Sequence, residues 1–461
     1  MTRNLMGDPA AIPPAEAAPG AAASPDALYD PARHRPAFRH WWMVVVLAII
    51  TILSWVDRNA LNLLAGEIKR DLALSDTQLG LLLGAAFALF YAFAGLPAGH
   101  LSDRLNRRLL LGAGMVLWTL MTFVSGLAGS FGLLFLARTG VGLGEAVLSP
   151  IAASLIRSTF GPEYRARAFG ILAIAQSTGG GIALLIVGAA ASWAAGLPDG
   201  SMHDWQIVLM LVGLGGMPLA LLLLTFREPP RQPVAATARG PGVRAFLATM
   251  AERKWIFYPF FLAQMFSGIG AYAFAAWMPT AIARSWSLTP AQVGASYGTV
   301  QIAGAITGLF IGTILMDRLT RRHGLHAVAI SGAGFSFLAA VGTVIAPLVQ
   351  PIELVWLALG LHWLAIAPAG AAAATMLAGV TPAHMTGRAT AVSYLALSLL
   401  GYGIGPSLVA FVSESLFVGP DSIGYSLAIV SGCSLTLAGL LKLFVVGRIR
   451  RVASGRMQLD D

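Results

Sequence analysis

The amino-acid sequence predicts an all-helical protein that crosses a membrane twelve times, in two halves of six helices each. Three observations support this fold class. Of the 461 residues, 57% are hydrophobic and only 11% are charged, whereas a soluble domain has about 25% charged residues. Apolar runs of 18 or more residues recur along the chain, and each is long enough to cross about 30 Å of hydrocarbon as a helix. A short charged sequence also occurs once in each half.

The composition excludes soluble enzymes, secreted disulfide scaffolds and coiled coils. The net charge of +9 and the isoelectric point near 10.1 would suit a nucleic-acid partner, but the basic residues lie in short loops between apolar runs. We therefore expect no nucleic-acid binding. The only cysteine, Cys433, lies in an apolar run, so no disulfide or thiolate metal site is expected. We expect neither a metal nor another cofactor.

Composition also divides the chain into segments. Residues 1–39 are rich in alanine and proline and lack the apolar core of a signal peptide, so we predict a disordered cytoplasmic tail. The first six-helix half is predicted over 40–226 and the second over 255–447. A linker over 227–254, with six cationic residues and four prolines, joins them. Residues 448–461 are predicted to be a second cytoplasmic tail.

Charged residues, prolines and glycines interrupt the apolar runs and so predict where each membrane span begins and ends. The twelve predicted spans are 41–63, 77–99, 109–129, 131–156, 165–194, 205–226, 255–283, 291–315, 325–347, 352–377, 387–413 and 422–446.

The distribution of lysine and arginine predicts the orientation of these spans. If the N-terminus is cytoplasmic, 25 cationic residues fall on the cytoplasmic side, with Lys442 counted at its C-terminal end. Only three, Lys69, Arg70 and Arg284, fall on the other side. Cytoplasmic loops of membrane proteins carry an excess of Lys and Arg. Both termini are therefore predicted to be cytoplasmic, in what we expect to be a bacterial inner membrane.

A repeated loop sequence supports the two-half organisation. The pattern DRLxRR follows the second span and recurs 214 residues later, after the eighth. An aspartate followed by paired arginines can join neighbouring helix ends through helix dipoles and ion pairs; the alternative is a simple positive anchor. The residues concerned are Asp103, Arg104, Arg107 and Arg108 in the first copy, and Asp317 and Arg318 in the second.

These residues resemble a known family. GHLSDRLNRR, from Gly99 to Arg108, resembles the loop 2–3 signature of the major facilitator superfamily, with Asn106 where that family has glycine. Within the superfamily, three stretches at 56–83, 87–104 and 136–150 resemble spinster-like transporters. The resemblance implies the major facilitator fold and a loop motif that controls conformational change.

Four charged residues fall clearly inside predicted spans, away from the span ends where charged side chains reach water. A charge at the centre of a span costs about 2.5–3.5 kcal/mol on insertion scales and usually marks a function. The four are Asp57 and Arg58 in the first span and Arg138 and Glu145 in the fourth.

Their spacing predicts how they are arranged. Arg138 and Glu145 are two helical turns apart and project from one face, and the glycines between them, at 140, 142 and 144, allow close helix approach. Asp57 and Arg58 point about 100° apart. In the superfamily, spans 1 and 4 both line the central cavity, so the resemblance implies that Asp57 pairs with Arg138 across the two helices. The pair is either a static packing contact or a titratable group in a wet cavity.

The resemblance implies a role for this cluster. In spinster-like proteins the residues that match Asp57, Arg138 and Glu145 are thought to couple protons to substrate. Arg138 would hold an anionic group, because its planar fork fits a phosphate or carboxylate. Further candidate substrate contacts are Arg58, Asn59, Asn62 and Tyr91, for which ordinary interhelical hydrogen bonding is the alternative.

The second half offers no comparable charge in its predicted spans, and this asymmetry indicates an amphiphilic substrate. The predicted function is proton-coupled secondary transport of an amphiphilic anion, of the lysolipid or sphingoid phosphate class, by alternating access. A drug/proton antiporter for hydrophobic cations and a small organic-anion/proton symporter are the alternatives. A channel, receptor or membrane enzyme is disfavoured, because no selectivity filter or catalytic constellation is present. We expect the protein to act as a monomer in the bilayer.

Overall fold

The computed structural model describes residues 36–198, 200, 202–229, 243–382, 385–419 and 421–453. Within these residues the chain is helical, without strands, and twelve of its helical segments are long and apolar enough to cross a membrane. The predicted all-helical fold is therefore confirmed. The twelve segments coincide with the predicted spans, and we number them 1 to 12. Most extend a few residues beyond the predicted limits, because polar residues continue the helices past the apolar run.

The bounds of the spans are as follows, with two segments given where a helix is interrupted. They are Phe38–Asp71 (span 1), Asp76–Leu83 and Ala85–Arg104 (2), Arg107–Gly126 (3), Phe131–Glu145 and Leu148–Thr159 (4), Pro162–Ala194 (5), Asp204–Leu219 with a 3-10 turn Ala220–Thr225 (6), Lys254–Trp286 (7), Pro290–His323 (8), Leu325–Ile345 (9), Ile352–Val380 (10), Thr386–Leu395 and Gly401–Leu416 around a π turn Ala396–Leu400 (11), and Ser422–Ala453 (12).

The predicted tails and linker lie mostly outside the described residues. Of the first tail, only 36–39 are described, and span 1 already begins at Phe38. The linker contains a helix, Val243–Glu252, and span 12 continues to Ala453, inside the segment that was predicted as a tail.

The two halves pack together through glycine. A Cβ on Gly181 would lie 2.6 Å from the carbonyl oxygen of Gly298, so spans 5 and 8 contact backbone to backbone. In the same way, a Cβ on Gly84 in span 2 would lie 2.6 Å from the carbonyl oxygen of Tyr402 in span 11. Small residues permit this close approach of helices in a membrane. These positions hold spans 2 and 5 of one half against spans 11 and 8 of the other.

Polar contacts also join the halves at the end opposite the linker. Asp76, at the start of span 2, forms ion pairs with Lys69 at 2.6 Å and with Arg284 of the second half at 3.1 Å. The amide and hydroxyl of Thr77 both donate hydrogen bonds to the carboxylate of Glu414 in span 11. The halves are therefore tied together at this end of the bundle.

Candidate functional site

The structure brings the four predicted span charges together where spans 1 and 4 cross. Asp57, Arg138 and Glu145 are 0%, 3% and 1% exposed, so all three are enclosed by protein. Arg58 is partly buried, with 15% of its side chain exposed. Burial of this kind is tolerated only where charges are paired or have a function.

The ion pair in this cluster joins Arg58 and Glu145. Both Nε and Nη2 of Arg58 donate to Oε2 of Glu145, at 2.9 and 2.5 Å, and the hydroxyl of Ser54 donates to the same oxygen at 2.8 Å. The other carboxylate oxygen, Oε1, is buried without a hydrogen-bond partner among the described residues. Glu145 is therefore anchored through one oxygen, while the second remains available to a proton.

Arg58 also contacts the second half of the molecule. Its Nη1 donates to the phenol oxygen of Tyr402 in span 11 at 2.9 Å, and the Tyr402 ring stacks on Tyr272 of span 7 with centroids 3.5 Å apart. The guanidinium carbon lies 4.6 Å from the ring centroid of Phe87 and 5.4 Å from that of Tyr91. One guanidinium thus links the buried carboxylate of one half to an aromatic pair of the other.

The predicted pairing of Asp57 with Arg138 is wrong in its detail. Arg138 donates from Nη1 to the main-chain carbonyl of Asp57 at 3.3 Å, and both carboxylate oxygens of Asp57 lack a hydrogen-bond partner among the described residues. The structure instead pairs Glu145 with Arg58, the neighbour of Asp57 in the sequence. Sequence spacing gave the helix faces but not the rotation of span 1 against span 4.

The glycines of span 4 have the packing role predicted for them. A Cβ on Gly142 would overlap the carbonyl oxygen of Phe87 in span 2, and a Cβ on Gly144 would lie 2.6 Å from the carbonyl oxygen of Gly114 in span 3. Span 4 is therefore in backbone contact with two neighbours. This contact brings Glu145 within reach of span 1.

A cavity of about 240 Å³ lies between the two halves, beside the charge cluster. Of the predicted substrate contacts, Asn59 lines it, while Asn62 is partly buried elsewhere on span 1 and Tyr91 stacks on Phe87 with centroids 5.2 Å apart. The wall combines apolar side chains with amides and hydroxyls. Its polar residues include Asn59, Gln176, Ser177, Gln264, Ser267, Gln301 and Ser336, and its larger apolar ones Trp55, Trp363, Ile366, Leu397 and Leu435.

The cavity also contains a charge that sequence reasoning missed. Lys442 of span 12 lines it, is 2% exposed, and donates from Nζ to the hydroxyl of Ser336 in span 9 at 2.8 Å. The expectation that the spans of the second half carry no charge is therefore wrong. The prediction counts Lys442 with the cytoplasmic arginines, although it lies within the predicted span 422–446 and the helix continues from it to Ala453. Its position inside an apolar run was the signal that could have identified it.

The two copies of the loop motif differ in structure. In the first, Arg107 begins span 3, forms an ion pair with Glu228 at 2.9 Å and donates to the hydroxyl of Ser158 in span 4 at 2.9 Å; Arg108 donates to the carbonyl of Phe226. The arginines of this copy therefore join helix ends, while the part predicted for Asp103 stays a prediction. Arg104 is exposed. The surroundings of Gly99 and of the Asp103 side chain lie outside what the structure describes.

The second copy does not form a turn. Asp317 and Arg318 are exposed on span 8, which continues to His323, and Asp317 pairs with Arg321 one turn along the same helix at 2.7 Å. The turn comes later, at Gly324, which has a φ of +74°. In the first copy, Asn106 has a φ of −59° and caps span 3 by accepting a hydrogen bond from the amide of Leu109. No glycine is needed there, since the backbone is not left-handed.

Known proteins with similar sequences are transporters. Residues 47–406 match the Major Facilitator Superfamily. An MFS-type efflux pump of Mycolicibacterium smegmatis is 28% identical over 91% of this chain and 95% of its own length. A probable L-galactonate transporter of Escherichia coli is 25% identical over 87% and 88%. Protein spinster homolog 1 of Xenopus tropicalis is 31% identical over 58% of this chain and 51% of its own.

The fold is also that of a solved transporter. A crystal structure of a bacterial homolog of the human lysosomal transporter Spinster, inward-facing and unoccupied, superimposes with a TM-score of 0.78, covering 92% of this chain and 100% of that one at 23% identity. These relatives are transporters, so the predicted family and the expectation of a transporter rather than an enzyme are confirmed. The chain belongs to the Major Facilitator Superfamily, and spinster proteins are among the members that it resembles.

Proposed function

We propose that the protein is a proton-coupled secondary transporter of an amphiphilic organic anion that works by alternating access. The observation that carries this proposal is the position of Arg58, which binds Glu145 in its own half and Tyr402 in the other. A change in the charge of Glu145 therefore acts directly on a contact between the two halves. Coupling between a proton and a conformational change requires such a shared element.

The proposed cycle follows from this geometry. With Glu145 ionised, Arg58 is held by the carboxylate, and the contact with Tyr402 keeps spans 1 and 11 together. A proton on the free oxygen of Glu145 removes the charge that Arg58 balances. Arg58 then turns towards the anionic group of a substrate, because a buried guanidinium needs a counter-charge. Loss of the proton restores the pair and releases the substrate.

Asp57 and Arg138 form the second part of the proposed coupling site. The carboxylate of Asp57 is fully buried and lacks a hydrogen-bond partner among the described residues, so it is a second place for a proton. Arg138, enclosed next to it, supplies a permanent positive charge to the cluster. Of the two arginines, Arg58 is the more accessible, so we assign the direct substrate contact to it and the supporting charge to Arg138.

The amphiphilic class is supported by the cavity wall. Leu397, Leu435 and Ile366 supply apolar surface, and the amides of Gln264 and Gln301 supply polar groups. A lysolipid or sphingoid phosphate has both kinds of surface. A small organic acid is the second candidate, since one relative is named as a probable L-galactonate transporter and since about 240 Å³ lies below the usual volume of a drug-sized site.

Transport of hydrophobic cations, suggested by the relative named as an efflux pump, is disfavoured by the cavity. A cation is held by a carboxylate or an aromatic cage. The described lining has aromatic residues but no aspartate or glutamate, and the charge that it does contain, on Lys442, repels a cation.

Transport into proteoliposomes under an imposed pH gradient tests the proposal. The substrates are lysophosphatidate, glucuronate and a cationic dye. The proteins are the wild type, Glu145→Gln, Asp57→Asn and, as a control, Glu252→Gln at an exposed position of the linker helix. We expect gradient-driven accumulation of an anion by the wild type and the control. Glu145→Gln and Asp57→Asn should retain exchange but lose accumulation. Normal accumulation in the double variant Asp57→Asn/Glu145→Gln would contradict proton coupling, and uptake of the dye alone would contradict the substrate class.

A further inference from the structure

Lys442 is a buried cation that the coupling site does not use. Its side chain is 2% exposed in span 12, and within the described part of the chain its ammonium group makes one hydrogen bond, to Ser336. An ammonium group has three N–H donors, so two remain. No carboxylate of the described residues lies within ion-pair distance of it; the described ion pairs involve other cationic residues.

An unpaired charge inside a membrane span costs free energy, so its presence there indicates a function. Lysine within a membrane span is rare and is normally paired or placed at a substrate pathway. Lys442 lines the cavity between the halves, so its missing counter-charge can be supplied from that cavity. Of the other cations near the cavity, Arg58 is paired with Glu145 until that carboxylate is protonated, and Arg138 donates to the carbonyl of Asp57 and is absent from the described cavity lining.

The wall of the cavity that Lys442 lines offers further polar groups to a ligand. The hydroxyl of Ser267 in span 7 is buried and has no hydrogen-bond partner among the residues that the structure describes. Gln264 in the same span and Gln301 in span 8 are 9% and 5% exposed and line the same cavity. Amides and hydroxyls that face a cavity are suited to fixing the orientation of a polar ligand.

We propose that Lys442 is the primary anion-binding residue of the C-terminal half, binding the carboxylate or phosphate of the substrate, while Gln264, Ser267 and Gln301 bind its polar atoms. This inference rests on the proposed transport of an organic anion and assigns the anion to a named site. The anion binds Lys442 without any prior protonation, and Arg58 joins it only after Glu145 is protonated. The substrate thus contacts both halves in the occupied state.

Equilibrium binding to the purified protein tests the assignment. The probes are glucuronate and lysophosphatidate, each compared with an uncharged counterpart, glucose and a monoacylglycerol. The principal variant is Lys442→Met, because an apolar side chain of similar length replaces an unpaired buried charge and should fold with equal or higher thermal stability. Lys442→Arg retains the charge. Lys254→Met is the matched control, since Lys254 is exposed at the start of span 7.

We expect Lys442→Met to weaken binding of the anion roughly tenfold or more, as for loss of a charged hydrogen-bond partner, and to leave its stability unreduced. Lys442→Arg and Lys254→Met should bind within about threefold of the wild type. A lysine with only a structural role would give the opposite pattern, with lost stability and unchanged affinity. Whichever anion the wild type prefers over its uncharged counterpart identifies the lipid or the sugar acid as the source of the anionic group.

The outcomes separate the two proposals. If Lys442→Met binds and accumulates the anion like the wild type, the assignment is overturned while anion transport stands. If the wild type takes up only the cationic dye, both are overturned. Should Lys442→Met fail to fold, Gln264→Leu provides the second test: a loss of about tenfold in anion affinity supports the site, and wild-type affinity contradicts it.

Discussion

The guanidinium of Arg58 is shared by Glu145, which accepts from it at 2.5 Å, and by the phenol of Tyr402, which accepts from it at 2.9 Å. The first contact lies within the N-terminal half and the second crosses to the C-terminal half. Tyr402 in turn stacks on Tyr272, so the link reaches span 7 as well as span 11. A buried charge and an inter-half contact thus depend on the orientation of one side chain.

Removal of the Tyr402 hydroxyl should change the conformational equilibrium rather than the affinity for substrate. Tyr402→Phe keeps the ring and its stacking on Tyr272 but loses the hydrogen bond from Arg58, worth about 1.5–3 kcal/mol for a charged partner. We expect transport rates to change by about threefold or more, with equilibrium binding within about twofold. Transport kinetics and binding isotherms measured on the same preparation check this.

Tyr394→Phe is the matched control, because Tyr394 lies in the same span and its side chain is 69% exposed. It should behave as the wild type in both assays. Equal effects of the two substitutions would show that the contact between Arg58 and Tyr402 has no part in the cycle.

The glycine contact of span 4 should be sensitive to a single methyl group. Gly142→Ala places a Cβ against the carbonyl oxygen of Phe87, and overpacking of this kind costs about 1–3 kcal/mol. Gly132→Ala, in the same helix, meets nothing within 4 Å. We expect a lower unfolding temperature in detergent for the first variant only. Equal unfolding temperatures would contradict this prediction, because they would mean that spans 2 and 4 can move apart without loss of stability.

The two copies of the loop motif should respond differently to the same substitution. Arg107→Ala leaves Glu228 without its partner and removes hydrogen bonds to span 4, for a cost of about 3 kcal/mol. The equivalent Arg321→Ala breaks an ion pair whose side chains are 76% and 56% exposed, and such pairs contribute below about 1 kcal/mol. Thermal unfolding of both variants measures the difference, and similar losses would contradict the asymmetry of the two loops.

The predicted orientation can be tested by labelling single cysteines in a Cys433→Ser background. A membrane-impermeant reagent added to intact cells should leave Arg239→Cys in the linker unlabelled, because the linker is predicted to be cytoplasmic. Ser287→Cys, in the loop after span 7, should be labelled. The reverse pattern would invert the topology.

Particular residues show how far sequence reasoning extended. Apolar runs predicted all twelve spans, because a helix must satisfy its own backbone hydrogen bonds in hydrocarbon and therefore needs a minimum apolar length. The same reasoning identified Asp57, Arg58, Arg138 and Glu145 as unusual, since a charge in such a run is conspicuous. It misplaced Lys442 because that lysine lies near the cytoplasmic arginines in sequence, whereas its side chain packs inside the bundle beside Ser336.

The sequence by itself determined the number of spans, the two-half organisation and the presence of a charge cluster on spans 1 and 4, since each of these follows from local composition. Only the tertiary structure decided which charges meet. Whether Arg58 or Arg138 reaches Glu145 depends on the rotation and depth of span 1 against span 4, which the contact between Gly142 and Phe87 helps to set. The position of Lys442 beside Ser336 depends on packing between spans 9 and 12. Such partners are far apart in the chain, and local periodicity carries no information about the angle at which two helices face each other.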